Sequence, residues 1–537
     1  MHRIGRPSHM ILGTFILASG AYATTIHVPA EARTIQDGLD KAAAGDTVLV
    51  AAGEYVGEGN RDLDYRGKDL VLLSEDGPER TIIDCQASSD DPHRGLHLTG
   101  GETTRATLEG FTITNGATEL KYTFPNAFGG GILLQDAGLT IIDCILEGNE
   151  GSYGAGIATS ASDLTVIDSE IRKNGVRYLG GGVYTGGGES TLDFRNVSVS
   201  DNSSDYGGGF YINTFSYLSA QDCHIDRNGA WGGAGGGIRT YRAQMDLQNC
   251  SISDNHAGKE GGGIFHEASR GELGMHATVI NCVITGNTCD TKGGGIALAN
   301  DTTMDLRYST IADNEAPTGG AISSRAFTGI EALNSIFWNN GVEAAIHREY
   351  NGTFDAQYSD VEGGWEGAGN IDADPSFADP NADDYHLLDD SPCMDAGKDD
   401  GETYSDMDGE SRPQGDGFDM GADEVLGETS CDLEVYLDGQ PKEISGGETL
   451  SFRATASNEC GETLGLDEAV MEISGPASLN KTLYQGNLVS IGAGASVTAP
   501  VSLAVPTGAP LGIYTIDVSI YREGEFVSNN FFQLVVQ

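Results

Sequence analysis

The sequence predicts an all-β protein, a parallel β-helix followed by a separate β-sandwich, and three observations predict it. An asparagine recurs eight times with a mean period of about 27 residues. A glycine triplet closed by an apolar residue follows most of these asparagines, as in Gly180-Gly-Gly-Val183 and Gly261-Gly-Gly-Ile264. The residues between them alternate apolar and polar with period two and are rich in Ile, Val and Thr, which suits strands and not helices.

Composition removes several functions. The chain has 537 residues with 80 Asp+Glu against 30 Lys+Arg, a formal charge of −50 that phosphate would repel, so nucleic acid and anionic lipid are excluded as expected partners. With 39% apolar residues it can bury a core, and its length implies more than one domain. The 77 glycines lack the three-residue period of collagen and so hold particular positions.

Residues 1–23 read as a signal peptide. Arg3 and Arg6 precede the apolar run Met10–Leu17, and Ala21-Tyr22-Ala23 has the small-x-small form of a cleavage site. That run is too short to span a bilayer, and nothing later is longer. Export is therefore expected, to the extracellular space or outer cell surface, with no transmembrane segment.

The repeat occupies the middle of the chain. Its asparagines are Asn149, Asn174, Asn202, Asn228, Asn255, Asn287, Asn314 and Asn340. Three residues before each stands an apolar residue, from Leu146 to Phe337, and five before stands a small or thiol residue, from Cys144 to Ser335. A unit of this length with three short strands cannot bury its apolar side alone, so the units must stack as coils roughly 4.8 Å apart. Each asparagine amide then meets its twin above and below, and the glycines supply tight corners. A phosphate cradle is the rival reading of the glycines, but no Lys-Ser or Lys-Thr follows any triplet.

Gly-Gly-Gly-Ile paired with Ile-x-x-Asn resembles the repeats of polymorphic outer membrane proteins. More broadly it is similar to secreted right-handed parallel β-helix proteins related in fold to pectate lyases, over about residues 24–424. The stretch Thr34–Ala43 followed by Gly45-Asp-Thr-Val-Leu-Val50 is similar to the helix and first strand that cap such proteins. Thr34 suits an N-cap, and Ile35, Leu39 and Ala42 share a helical face. Gly369–Phe377, Ser391–Gly397, Asp406–Gly409, Arg412-Pro413 and Asp419–Glu424 resemble the C-terminal part of the bacterial choice-of-anchor Q family. That resemblance implies secreted or surface placement and no particular reaction. The expected division is 24–350 for the capped β-helix, 351–426 for its end with this signature, and 427–537 for the sandwich.

From about Gly427 short alternating runs, among them Thr449–Ala456, Ser496–Leu503, Gly512–Tyr521 and Phe526–Val536, read as an immunoglobulin-like or fibronectin type III-like sandwich. Cys431 and Cys460, alone in it, are the expected disulfide. Cys144, Cys223, Cys250 and Cys282 share one column and read as buried small hydrophobes, with a Cys223–Cys250 bridge between coils as the alternative.

Chemistry is expected on the strand after each glycine triplet, where residues one and three beyond the inward apolar residue project together into solvent. Tyr184, Tyr211, Arg239 and Phe265 form one such stripe, with Asn213, Tyr241 and Glu267 beside it. Aromatic faces flanked by amide, guanidinium and carboxylate groups suit a sugar chain, so a polysaccharide or cell-surface glycan is the expected partner of a monomer. Exposed aromatics that only strengthen a β surface are the alternative.

An enzyme on this face would draw on Arg239, Glu267 and Arg325. Glu267 and Glu349 stand three repeats apart, about 14 Å, too far for a glycosidase pair. A polygalacturonase relative would carry Asn-Thr-Asp, paired Asp and Gly-His-Gly on successive coils, which this sequence lacks. Calcium is a candidate at Asp406, Asp408, Glu410 and Asp419, hard oxygen ligands on an acidic turn. The expectation is a secreted or surface protein for adhesion or glycan binding. The rivals are a polysaccharide lyase or glycoside hydrolase on the same face, and a structural surface spacer.

Overall fold

The computed structural model describes residues 23–119, 126–213, 215–271, 274–341, 345–415 and 417–425. Further on it describes 433–438, 443–445, 448–458, 468–475, 479–487, 496–505, 510, 512–522 and 525–536. Residues 1–22 of the expected leader and both Cys431 and Cys460 lie outside the described residues. Two compact units emerge, residues 1–425 and 426–537.

The first unit is a parallel β-solenoid. Sheet A has thirteen strands from Thr25–Val28 to Thr353–Gln357, and sheet B twelve from Gly53–Val56 to Asp360–Val361. Sheet C has six from Glu150–Tyr153 to Thr288–Cys289, and sheet D ten from Leu96–Leu98 to Ile346–Glu349. One coil visits Gly138–Ile142 in A, Ile145–Glu147 in B, Glu150–Tyr153 in C and Ile157–Ser160 in D, then enters A again at Asp163. The middle coils thus hold four strands instead of the expected three, because the residues between the asparagine and the glycine triplet pair as sheet C.

Register places like residues on like. Leu139 pairs with Leu164, Leu164 with Leu192, and Leu192 with Leu218, all buried. The inward residues from Val28 to Val361 form one continuous core. Between sheets A and B the chain turns within two residues, the first in the left-handed region, as at Asp143 (φ 48°), Asn196 (φ 52°) and Asp222 (φ 54°). Asp and Asn tolerate that conformation, which accounts for their column there.

The eight asparagines form one file. Each side-chain Nδ2 donates to Oδ1 of the next at 2.9–3.0 Å, through seven successive links from Asn149 to Asn340. The same Oδ1 accepts the backbone N–H of the preceding asparagine, as Asn228 does from Asn202 at 3.0 Å. The second Nδ2 hydrogen of Asn228 goes to the Val199 carbonyl at 2.8 Å. No donor or acceptor is left over, which is what burial of an amide requires.

A helix, Ile35–Lys41, packs against the first two strands of sheet A. Thr34 Oγ1 accepts from Asp37 N at 3.1 Å, and Ile35 and Leu39 enter the solenoid core. At the other end, residues 371–415 and 417–425 form a strap over the outer side of the late coils. Tyr385 and Ala422 pack on Val283 and Ala312, and Leu387, Cys393 and Met420 on Ile336.

The second unit has one sheet of three strands (Leu433–Asp438, Thr449–Asn458, Ser496–Ala504) and one of five. The five include Leu479–Asn487, which its polar Asn480-Lys481 and Gln485-Gly486-Asn487 disguise as turn in the sequence. All pairs are antiparallel except Glu443–Ile444 with Val535–Val536.

Seven described cysteines are free and buried, including Cys144, Cys223, Cys250 and Cys282. The alternative of a Cys223–Cys250 bridge is therefore corrected. Both are thiols, each donating to a carbonyl two residues earlier, Gln221 O and Gln248 O, at 3.2 Å.

Candidate functional site

The strand that leaves each glycine triplet belongs to sheet D, and the triplet exists because coils close in there to backbone contact. Gly180 has φ +65°, and a Cβ on Gly181 would lie 2.5 Å from the Gly208 carbonyl oxygen. Only glycine fits, and the same contact recurs at Gly208 against Gly236. After each triplet an inward apolar residue is followed by an outward one.

The expected stripes are in register. Tyr184, Tyr211, Arg239 and Phe265 are successive partners, and Asn213, Tyr241 and Glu267 form the file beside them. They do not project into solvent as expected. Phe265 is 2% exposed and Tyr184 and Tyr211 are each 7% exposed. A second layer covers them: Phe128, Tyr153, Leu179 and Tyr206, which precede the glycines, fold onto Leu133, Ala158, Tyr184 and Tyr211. Phe128 stacks on Tyr153 at 4.5 Å, and Tyr184 meets Tyr211 at 5.8 Å. The signal for this cover is in the sequence, since an aromatic or leucine stands directly before Gly129, Gly154, Gly180 and Gly207. Burial pushes the Tyr184 hydroxyl up to about 12.

Arg239 is enclosed as well. Its guanidinium lies over Tyr206, Phe265 and Tyr211 at 4.9, 5.1 and 5.4 Å. Nη2 donates to Glu267 Oε2 at 2.8 Å, while Nε is buried without an acceptor. Glu267 Oε1 accepts from Asn300 Nδ2 at 3.1 Å. Such a clamp stabilises the sheet surface by charge and by cation–π attraction, and leaves neither residue free as a base.

Further along the axis the outward file continues through Ala297 and Ser323, each 2% exposed, and only its rim and the last strands turn polar and more open, with Arg325, His347 and Glu349 half-buried. Arg325 donates to Glu260 at 2.7 Å, and Lys292 to Glu349. The Lys292 ammonium holds the Glu349 carboxyl below its usual range. Lys259 is exposed, and so is Arg348, whose guanidinium lies 4.8 Å over Trp365. Of the seven expected binding residues, then, the structure assembles all in two files but opens the face beside Arg325 and not beside Tyr184.

The acidic turn differs from expectation. Asp406 is fully buried, its Oδ1 accepting from Asp408 N and Glu410 N at 3.0 and 2.8 Å, and its Oδ2 from Glu424 N at 3.2 Å. Asp419 accepts from Asp395 N at 2.7 Å and Val425 N at 2.6 Å. Burial raises both carboxyls, Asp406 to about 7 and Asp419 to about 6. These two are spent on backbone amides and cannot serve as the calcium ligands expected of them. Glu410 accepts from Gln414 Nε2 at 3.0 Å, and Asp408 from His386 Nε2 at 2.8 Å.

The sequence does not reveal a cleft of about 520 Å³ between the outer face of sheet A and the strap. Asp305, Glu331 and Asp355, register partners on three successive strands, form its floor, and Arg307, Lys398 and Asp400 its wall. Arg307 is held by Glu402 at 2.7 Å and by Asp305 and Asp400 at 3.6 Å. Its strap side is supplied by residues about 95 positions away in the chain, so no local pattern announces it.

Comparison with curated proteins gives no match. Among solved structures, the sporulation control protein Spo0M of Bacillus subtilis is 11% identical over 20% of this chain and 49% of its own, at a TM-score of 0.17. This chain thus spans about half the length of that protein. A Listeria innocua β-glucosidase in complex with gluconolactone is 16% identical over 20% of this chain and 16% of its own, at a TM-score of 0.17. A CARDB domain from Pyrococcus furiosus, in complex with di-metal ions, is 16% identical over 20% and 90%, at a TM-score of 0.16. Likenesses this slight assign nothing to the chain. Residues 94–282, which carry the repeated asparagine and glycine frame, match the family model described as the right handed beta helix region.

Proposed function

We propose that this chain is an exported, surface-deployed solenoid that binds an acidic polysaccharide along the open part of sheet D without turning it over. One observation carries the reading. In a chain with 30 Lys+Arg against 80 Asp+Glu, Lys259, Lys292, Arg325 and Arg348 gather on and around this face, against Glu260 and Glu349. Guanidinium and ammonium groups clustered over several successive coils suit an extended polymer whose carboxylates repeat along its length. Catalysis is disfavoured because Arg239 and Arg325 are each engaged by a glutamate, which leaves neither positioned to reach a substrate proton. The leader-like start and the resemblance of 351–426 to choice-of-anchor proteins support surface placement.

The test is binding of polygalacturonate to the full chain across a salt series. Lys259→Glu with Arg325→Glu is expected to weaken binding at least tenfold and to flatten its salt dependence. Unchanged binding, or product release at catalytic protein concentration, overturns the reading.

A second reading rests on the cleft over sheet A. Asp305, Glu331 and Asp355 sit on adjacent strands roughly 4.8 Å apart, close to the carboxyl separation of about 5–5.5 Å used by retaining glycosidases. Hydrolysis that is lost in Glu331→Gln would establish this reading in place of the first.

A further inference from the structure

Three parts of the strap, distant in sequence, bring Asp408 of the expected calcium turn together with His386 and Asp423. His386 lies on the strand Asp384–Leu387, Asp408 follows the buried Asp406, and Asp423 closes the chain's return across the solenoid. One ligand atom from each lies within 4.8 Å of the other two.

We propose that His386, Asp408 and Asp423 form a binding site for a divalent transition metal ion of the zinc type, independent of the glycan reading. The donor chemistry selects the class of ion. One imidazole nitrogen with two carboxylate oxygens suits zinc, whereas calcium seeks six to eight oxygens. The imidazole is set as a metal-bound histidine usually is: Nδ1 faces Asp384 Oδ1 at 2.5 Å, which turns Nε2 toward Asp408 and Asp423.

Each arm is held from behind. Asp423 is buried, and its Oδ2 accepts from Leu387 N at 2.7 Å, tying it to the histidine strand. The Asp408 backbone is pinned to the Asp406 carboxylate at 3.0 Å. Asp408 and His386 keep nearly half of their side-chain surface in solvent, so an ion has a way in and a water can complete its shell. Zinc–ligand distances of about 2.0–2.2 Å require the three donors to draw together, a motion open to the exposed Asp408 side chain. The acids of this signature divide accordingly. Asp406, Asp419 and Glu424 are spent on backbone amides and Arg412, while Asp408 and Asp423 face the histidine.

The test is calorimetric titration of the chelator-treated full chain with zinc chloride, and separately with calcium chloride. Saturable uptake of one zinc is expected, with a rise in Tm and no comparable calcium binding. His386→Ala should abolish that uptake and the Tm rise, and Asp384→Asn should weaken it roughly ten- to a hundredfold by removing the carboxylate behind the ring. Asp408→Asn, at an exposed position, removes a ligand with little risk to folding and should weaken uptake as well. Absence of saturable zinc binding, uptake unaltered by His386→Ala and Asp408→Asn, or calcium binding of equal strength overturns the proposal.

Discussion

Arg412 Nη1 donates to Glu424 Oε2 across 2.7 Å, and neither side chain reaches solvent. The guanidinium also bonds the Gly421 carbonyl at 2.9 Å and lies 4.6 Å over the Tyr308 ring of the solenoid. Glu424 accepts from Gln414 N and Asp419 N as well. Arg412 and Glu424 thus staple the strap to the late coils. Burial lifts the Glu424 carboxyl to about 7 against the pull of Arg412.

Breaking that pair by Glu424→Gln leaves a buried guanidinium uncompensated and is expected to cost about 3–5 kcal/mol. Replacing both residues with Met should cost clearly less. Denaturant unfolding of the two variants measures the difference, and equal losses would show that the charges are not coupled.

Asn228 stands midway in the amide file with four hydrogen bonds made by its side chain. Asn228→Ala strands the Asn202 N–H, the Val199 carbonyl and two neighbouring amides, so a loss of about 3 kcal/mol or more is expected. Asn196→Ala, on an exposed turn of the preceding coil, should cost less, chiefly the strain of an alanine at φ 52°. Thermal unfolding of the pair decides whether the file stabilises the rod.

His266 is fully buried in sheet D between Thr240 Oγ1 at 2.5 Å and the Met275 carbonyl at 3.4 Å. Burial, aided by the nearby His276 and opposed by the Met275 carbonyl, lowers its pKa to about 4. The unfolded chain therefore takes up this proton first, near pH 6.5. Its contribution is complete above that pH and is lost as pH falls toward 4, a loss of about 2 kcal/mol by pH 5. Urea titrations at pH 7 and pH 5 should show a change that is about 2 kcal/mol less favourable at pH 5 in the native chain than in His266→Gln, the raised carboxyls of Asp406, Asp419 and Glu424 contributing equally to both.

The seven described thiols are buried, and burial pushes those of Cys85 and Cys144 up to about 12. A thiol held protonated and out of solvent is a poor nucleophile. At pH 8 a thiol reagent should label at most two of the nine cysteines in the folded chain, Cys431 and Cys460, and the rest only after denaturation. Rapid labelling of a third would contradict the packing of the Cys144 column.

The sequence by itself determined the rod. Period-two alternation, the asparagine file and the glycine triplets each repeat at one interval, and stacking at that interval is the arrangement that satisfies all three. Thr34, Ile35 and Leu39 likewise announced the helix through local capping and periodicity. What only the tertiary structure decided is which outward residues meet water. Outward from the coil is not outward from the protein. Tyr153, Leu179 and Tyr206 return over Tyr184 and Tyr211, and the strap seals Ile336 and Thr310. The strap contacts join residues tens to more than a hundred positions apart, where side-chain volume and backbone path fix the outcome and no short-range pattern records it. The same long-range closure hides Asp406 and Asp419, sets Asp408 beside His386 and builds the cleft over Glu331.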